Sequence, residues 1–403
     1  MGASLRAHPY WNRLTWRLVV AGLIRLAFNT TVRFAYPMAP ALGRGLGVPL
    51  ASITSLVAAQ QFTGLFGLIS GPLSDRAGRR RMMLAGCAML AGGMLLGGAL
   101  ATYWTVLLAL FLAGLGKVFF DPAFQSFMGE WVPYDRRGRV FGLSEFAWAG
   151  SLLLGVPLIA FLMSRLGWRS PFFLLGGAGL LALAAVLLWF PRDQRQIHAS
   201  AFIADLWQAW RRIGREPAAL YVLTYGLLFS GALHSLFVVY GVWLEEAYGL
   251  SVAALGATAL VLGLGDLSGE VLTASLADRL GLKRAVIVGS VALILSYLLL
   301  PVLGRSLVGA LAGLFLVFLS FEFTIVTLAS FVIGVVPGAR ATMLSSLLAT
   351  SSIGRMIGVA AGGLIWTAGG LVANALFAAA CTTLAVACFA WGLRSWRLDP
   401  QET

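Results

Sequence analysis

The stretch Gly71-Pro-Leu-Ser-Asp75-Arg76-Ala-Gly78-Arg79-Arg80-Arg81 lies between two apolar runs, each long enough to cross a bilayer. A chain leaving a hydrocarbon layer must reach water and turn sharply, and this stretch supplies arginines, an aspartate and two glycines for doing so. The pattern returns as Ala274-Ser-Leu276-Ala-Asp278-Arg279-Leu-Gly281-Leu-Lys283-Arg284. One shift, 276 − 73 = 203 residues, superposes Leu73 on Leu276, Asp75 on Asp278, Arg76 on Arg279, Gly78 on Gly281, Arg81 on Arg284 and Gly86 on Gly289. A charged turn that occurs twice, half a chain apart, marks an internal duplication.

Composition narrows the folds such a duplication can take. Hydrophobic residues make up 59% of the 403 and charged residues 11%, against about 25% charged in soluble domains. Mean hydropathy is +0.87. A soluble fold is excluded. A membrane-spanning barrel would alternate apolar and polar residues, whereas runs such as Leu84 to Leu100 are continuously apolar. Helices remain, and twelve of them would leave about 34 residues for each span and its connection.

Net charge is +13, which in a soluble protein would suggest nucleic acid. Most of the 29 Lys and Arg fall in the tails and on alternate loops, and only Arg44, Arg165, Arg169 and Arg305 fall on the opposite set. That asymmetry is the positive-inside pattern. It predicts an inner (plasma) membrane protein with both termini cytoplasmic and no nucleic-acid partner. Cys87, Cys381 and Cys388 lie in apolar runs and imply no disulfide framework.

In chain order the spans are predicted at roughly 17–42 (broken near Pro37 and Pro40), 50–73, 82–101, 106–130, 140–165 and 171–190, and then at 218–244, 252–276, 285–303, 307–335, 342–366 and 370–392. Residues 191–217 change character. Ile203, Leu206, Trp207, Trp210 and Ile213 recur at helical spacing among charges, which predicts an amphipathic linker on the cytoplasmic face. The expected units are therefore 1–190, the linker 191–217, and 218–403 with a short tail.

The pattern Gly-x-Leu-x-Asp-Arg-x-Gly-Arg-Arg at Gly71 to Arg80, with its weaker copy at Asp278, resembles the signature loops of the major facilitator superfamily. The resemblance implies an all-α membrane protein of twelve transmembrane helices in two pseudo-symmetric six-helix bundles. It also implies that Gly71, Asp75, Arg76, Gly78 and Arg79, with Asp278, Arg279, Gly281, Arg137 and Arg139, form a conformational gate. In that gate Asp75 is expected to help hold the halves together on the cytoplasmic side in an outward-open state, near the start of helix 11 or near Arg137 or Arg139. Gly142, Gly150, Gly155 and Pro157 in helix 5 partly resemble the motif of drug:proton antiporters, with Gly155-Val-Pro157 standing where that motif has Gly-Pro.

Ionisable groups inside spans cost about 2.5–3.5 kcal/mol or more unless paired or wetted. Lys117 and Asp121, four apart, share a helix face. By depth Asp121 and Glu145 form a cluster with Lys117 and Arg33, and these two carboxylates are the expected proton-coupling residues. Glu322 and Arg355 lie at equal depth and are expected to pair as a brace. Asp266 and Glu270 are further candidates, and His234 is expected to be a satisfied polar residue. Phe28, Phe34, Tyr36, Phe120, Phe124, Trp148, Tyr225, Phe229 and Phe321 are expected to line a substrate cavity.

No Asn or Gln cluster suggests a sugar site. An amphipathic or lipophilic substrate fits better, with a cation as one option. No phosphate-cradling loop or metal-ligand spacing appears, so no enzyme, cofactor or metal is expected. The sequence predicts a monomeric secondary transporter that exchanges an amphipathic small molecule for protons, with membrane lipids as its surroundings. A lipid or glycolipid flippase and a non-transporting receptor or assembly protein are the alternatives.

Overall fold

A computed structural model describes residues 9–132, 146–191, 208, 210–336 and 339–394; within these, nothing is said of the side chains of 9–14, 72, 75 and 129–131. The chain enters through α1 (Pro9–Arg33) and turns through 34–38 into the short α2 (Ala39–Leu46), which ends at Gly47 in a left-handed conformation. Helix α3 (Leu50–Phe62) tightens through a 3-10 turn, Thr63–Phe66, into α4 (Gly67–Ala77). Then come α5 (Arg79–Leu100) and α6 (Tyr103–Trp131), the latter opened by a reciprocal Thr102–Thr105 capping box.

The next helix is described from Phe146. It widens into a π turn at Ser151–Gly155 and continues as α7 (Val156–Leu166), followed by α8 (Ser170–Trp189). The second half runs α9 (Pro217–Phe237), α10 (Tyr240–Tyr248), α11 (Val252–Leu280), α12 (Leu282–Leu303), α13 (Leu307–Val332) and α14 (Arg340–Gly392). Most of the predicted linker, 192–207 and 209, lies outside the described residues.

Among the described residues ten segments are long and apolar enough to cross a membrane. The longest, α14, reverses at Gly370 (φ 58°, ψ −150°) and so contributes two. Helix α1 falls short of that hydropathy standard because Arg17, Arg25 and Arg33 lie along it. Large apolar side chains such as Leu181, Leu188 and Val308 are more than 70% exposed on the outer surface, as a lipid-facing surface requires.

The duplicated turn repeats in the backbone. Gly78 (φ 94°, ψ 141°) and Gly281 (φ 78°, ψ 130°) each end one helix and start the next within a single residue. An L-side chain there would be strained by about 1–3 kcal/mol. Gly281→Ala is therefore expected to lower the thermal midpoint of the purified protein, and an unchanged midpoint would contradict the assignment. At the equivalent next positions Arg80 donates to Leu187 O (2.6 Å) and Val186 O (3.4 Å), and Lys283 donates to Leu393 O. Each copy of the motif thus places a cation on the carbonyl end of the last helix in its half, where the helix dipole favours it.

Contacts between the first and second halves follow the same symmetry. Helix α14 packs on α3, and α11 packs on α7 and its π turn. At the end opposite the Gly78 and Gly281 turns, described residues of the two halves lie in close contact. Gly241 lies against the backbone of Pro37, Gly256 against Ala160, and Arg44 Nη1 donates to Glu245 Oε1 at 2.7 Å.

Candidate functional site

Near mid-depth the helices of both halves enclose a cavity of about 30 Å3, room for roughly one water and far short of a substrate pocket. Its wall takes Arg33 from α1, Tyr36 from the following turn, Gln61 from α3 and Trp148 from the helix before the π turn. The second half contributes His234 and Phe237 from α9, Asp266 from α11, Phe318, Phe321 and Glu322 from α13, and Arg355 from α14.

Arg33 and Asp266, 3% and 1% exposed, join the two halves across this cavity. Arg33 Nη2 donates to Asp266 Oδ2 at 2.6 Å, Nη1 donates to Trp148 O at 3.3 Å, and the guanidinium stacks 4.2 Å from the Trp148 ring centroid. A charge-assisted bond and an aromatic face together stabilise a cation that water does not reach, and Arg33 Nε is left without a hydrogen-bond partner among the described residues.

Gln61 Nε2 donates to Tyr36 Oη at 2.9 Å, and Tyr36 stacks on Phe237 with centroids 4.1 Å apart. His234 Nδ1 lies 2.9 Å from Ser230 O of its own helix, which agrees with the satisfied polar role expected of it. Arg355 Nε donates to Ser351 O and Nη2 to Ser352 Oγ, both at 3.4 Å and both within its own helix.

A second charge cluster lies outside the cavity wall. Asp121 Oδ2 accepts from Lys117 Nζ, and Asp121 Oδ1 accepts from Arg25 Nε at 3.3 Å. One carboxylate thus holds two cations between α1 and α6. Among the described residues no cluster of His, Cys, Asp or Glu could hold a metal ion.

The sequence pattern of the Major Facilitator Superfamily matches residues 19–359, most of the chain. The chain belongs to the major facilitator superfamily. It is a multi-pass membrane transporter, and the family is not one of enzymes. The chain is 27% identical over 304 residues to the uncharacterised MFS-type transporter YceJ of Bacillus subtilis (strain 168), covering 75% of this chain and 76% of that one. It is 32% identical over 206 residues to the 4-hydroxybenzoate transporter PcaK of Pseudomonas putida (48% and 45% covered). It is 29% identical over 177 residues to the multidrug resistance protein MdtH of Klebsiella pneumoniae strain 342 (43% and 41%). In fold it matches the crystal structure of a bacterial homologue of the human lysosomal transporter Spinster with a TM-score of 0.76 and 18% identity, covering 99% of this chain and all of that one.

Several expected site residues of this superfamily member take other places. Glu322 and Arg355 both reach the cavity, but the Arg355 guanidinium is turned along its own helix and the expected brace is not formed. Asp121 pairs with Lys117 as expected, yet it does not meet the cavity, because α6 turns that face toward Arg25. Glu145, Arg137 and Arg139 lie outside the described residues, as does the Asp75 side chain. Asp278, Arg76 and Arg279 are exposed at the turns, with Gly71 half-buried one helical stretch before Gly78. Arg79 and Glu270 are half-buried and away from the cavity wall.

Of the nine aromatic residues expected to line the cavity, Tyr36, Trp148 and Phe321 do so. The other six are packing residues. Phe28 meets Phe120 at 5.3 Å, Phe120 meets Phe124 at 6.0 Å, Phe34 meets Phe172 at 6.0 Å, and Phe229 stacks between Tyr225 and Phe321 at 5.1 and 5.0 Å. Phe237, Phe318 and Gln61 also line the cavity, beyond the residues expected there. Gln60 and Gln61, adjacent amides in an apolar run and both buried, were the available signal; Gln60 Nε2 donates to Thr31 O at 3.3 Å.

Proposed function

We propose that this transporter couples the movement of an amphipathic small molecule to protons, by alternating access between two six-helix halves, 1–190 and 218–403. The observation that carries the reading is the 2.6 Å Arg33–Asp266 pair, which spans the halves at the cavity. A proton on Asp266 cancels one charge of that pair and leaves Arg33 to seek another partner. Since a lone buried charge is strongly unfavourable, protonation favours a conformation in which the two residues are separated and Arg33 is wetted. The proton site and the substrate cavity are then one place, which is the requirement for coupling.

This reading moves the coupling carboxylate from Asp121 to Asp266. Asp121, held by two cations, serves as a structural anchor. Export by exchange for protons is supported by the likeness to a protein named for multidrug resistance. The basic Gly78 and Gly281 turns face the cytoplasm of the inner membrane, with both termini. Contact between Pro37 and Gly241 and the Arg44–Glu245 pair then close the outer side. The transporter works as a monomer, since each chain carries a whole cavity.

The experiment is a substrate screen in proteoliposomes with an imposed pH gradient and an internal pH dye. A transported compound is expected to change the internal pH, and substrate flux without proton movement would contradict the coupling.

A further inference from the structure

Arg355 is a cation in the cavity wall whose hydrogen-bond partners among the described residues are all neutral. Arg33 is neutralised by Asp266 at 2.6 Å. Arg355 makes two bonds, both at 3.4 Å and both to neutral oxygens of its own helix, Ser351 O and Ser352 Oγ. Among the described residues no carboxylate lies within 4 Å of its guanidinium. Three of its five N–H donors have no acceptor there. A guanidinium inside a span without a counter-ion is costly.

The cavity wall that Arg355 shares with the carboxylates Asp266 and Glu322 also holds aromatic side chains. Tyr36 and Phe237 form a stacked pair at 4.1 Å, and Phe321 stands in the same wall, stacked on Phe229 at 5.0 Å. A planar guanidinium matches a carboxylate through two parallel bonds, and flat aromatic faces match a ring.

We infer that the substrate of the proposed transport cycle is an aromatic or arylalkyl carboxylate, its anion held by Arg355 and its ring held against Tyr36, Phe237 and Phe321. The inference rests on the cavity being the transport site, and it replaces the cationic substrate that the sequence had left open. The cavity holds only about one water in this conformation, so binding requires the halves to part. Arg355 is a binding residue here; Asp266 keeps the separate role of proton site.

Binding, measured without transport, tests this apart from the coupling. The purified full chain in detergent would be titrated with aryl carboxylates of one to three rings, each matched with its carboxamide and its arylmethyl ammonium, by thermal shift and calorimetry. At least one acid is expected to bind ten-fold or more tightly than its amide, with the ammonium weakest. Arg355→Gln should reduce affinity for that acid about ten-fold or more and leave the amide unchanged. Arg355→Lys, which keeps the charge and loses the fork, should fall between and serves if the glutamine variant does not fold. The inference is overturned if no acid exceeds its amide, or if Arg355→Gln binds the acid as wild type does. A protein that binds acids through Arg355 but moves no protons would uphold this inference while defeating the coupling.

Discussion

Gly358→Val is expected to leave little folded transporter. Gly354, Gly358 and Gly362, four residues apart on α14, face the backbones of Leu227, Gly231 and Ser235, four apart on α9. A Cβ at any of the three would overlap a main-chain carbonyl of the facing helix, so the backbones would have to shift. Small residues permit this approach of two backbones in lipid, where packing rather than hydrophobicity drives association. A branched side chain at the middle of the seam would force the helices apart, at an expected cost of about 3 kcal/mol or more. The same shift would move His234 and Arg355, which lie on these two helices in the cavity wall. Fluorescence-detected size-exclusion chromatography and a melting curve would report it: Gly358→Ala is expected to lower the midpoint and Gly358→Val to abolish the monodisperse peak. Wild-type behaviour of both would remove the seam from the account.

Asp121→Asn should destabilise the protein by about 3–5 kcal/mol, because it leaves two cations, Lys117 and Arg25, around a neutral amide. The effect belongs to folding rather than to coupling. Adding Lys117→Met to Asp121→Asn is expected to recover part of the loss, as residues of one network are not additive. What folded Asp121→Asn protein can be reconstituted should still accumulate substrate under a pH gradient. A stable variant that had lost accumulation would return Asp121 to the coupling role.

The parts of this molecule that could be read from its sequence are those fixed by local chemistry. The turns at Gly78 and Gly281 need glycine for their positive φ and charge for their exposure, so two copies of the pattern stand out. The break between α1 and α2 follows from Pro37 and Pro40, and the Lys117–Asp121 pair from spacing within one helix. The Arg33–Asp266 and Arg25–Asp121 pairs, 233 and 96 residues apart, depend on how each helix is rotated about its axis against the others. Apolar runs without a polar face do not encode that rotation.

For the same reason depth alone suggested a Glu322–Arg355 pair that the side-chain directions do not make. Aromatic residues misled because they fill helix–helix seams as readily as cavities. Phe28, Phe120 and Phe124 were indistinguishable by composition from Phe321, yet they pack within the first half.

Asp266→Asn, reconstituted in the same proteoliposomes as wild type, separates coupling from movement. Two rates would be measured for each protein: exchange of labelled substrate against unlabelled substrate at equal pH, and accumulation driven by a pH gradient. If Asp266 carries the proton, the variant should exchange substrate within about a factor of a few of wild type and accumulate none. Accumulation by Asp266→Asn at the wild-type level would contradict the assignment of this buried pair as the proton-responsive link between the two halves.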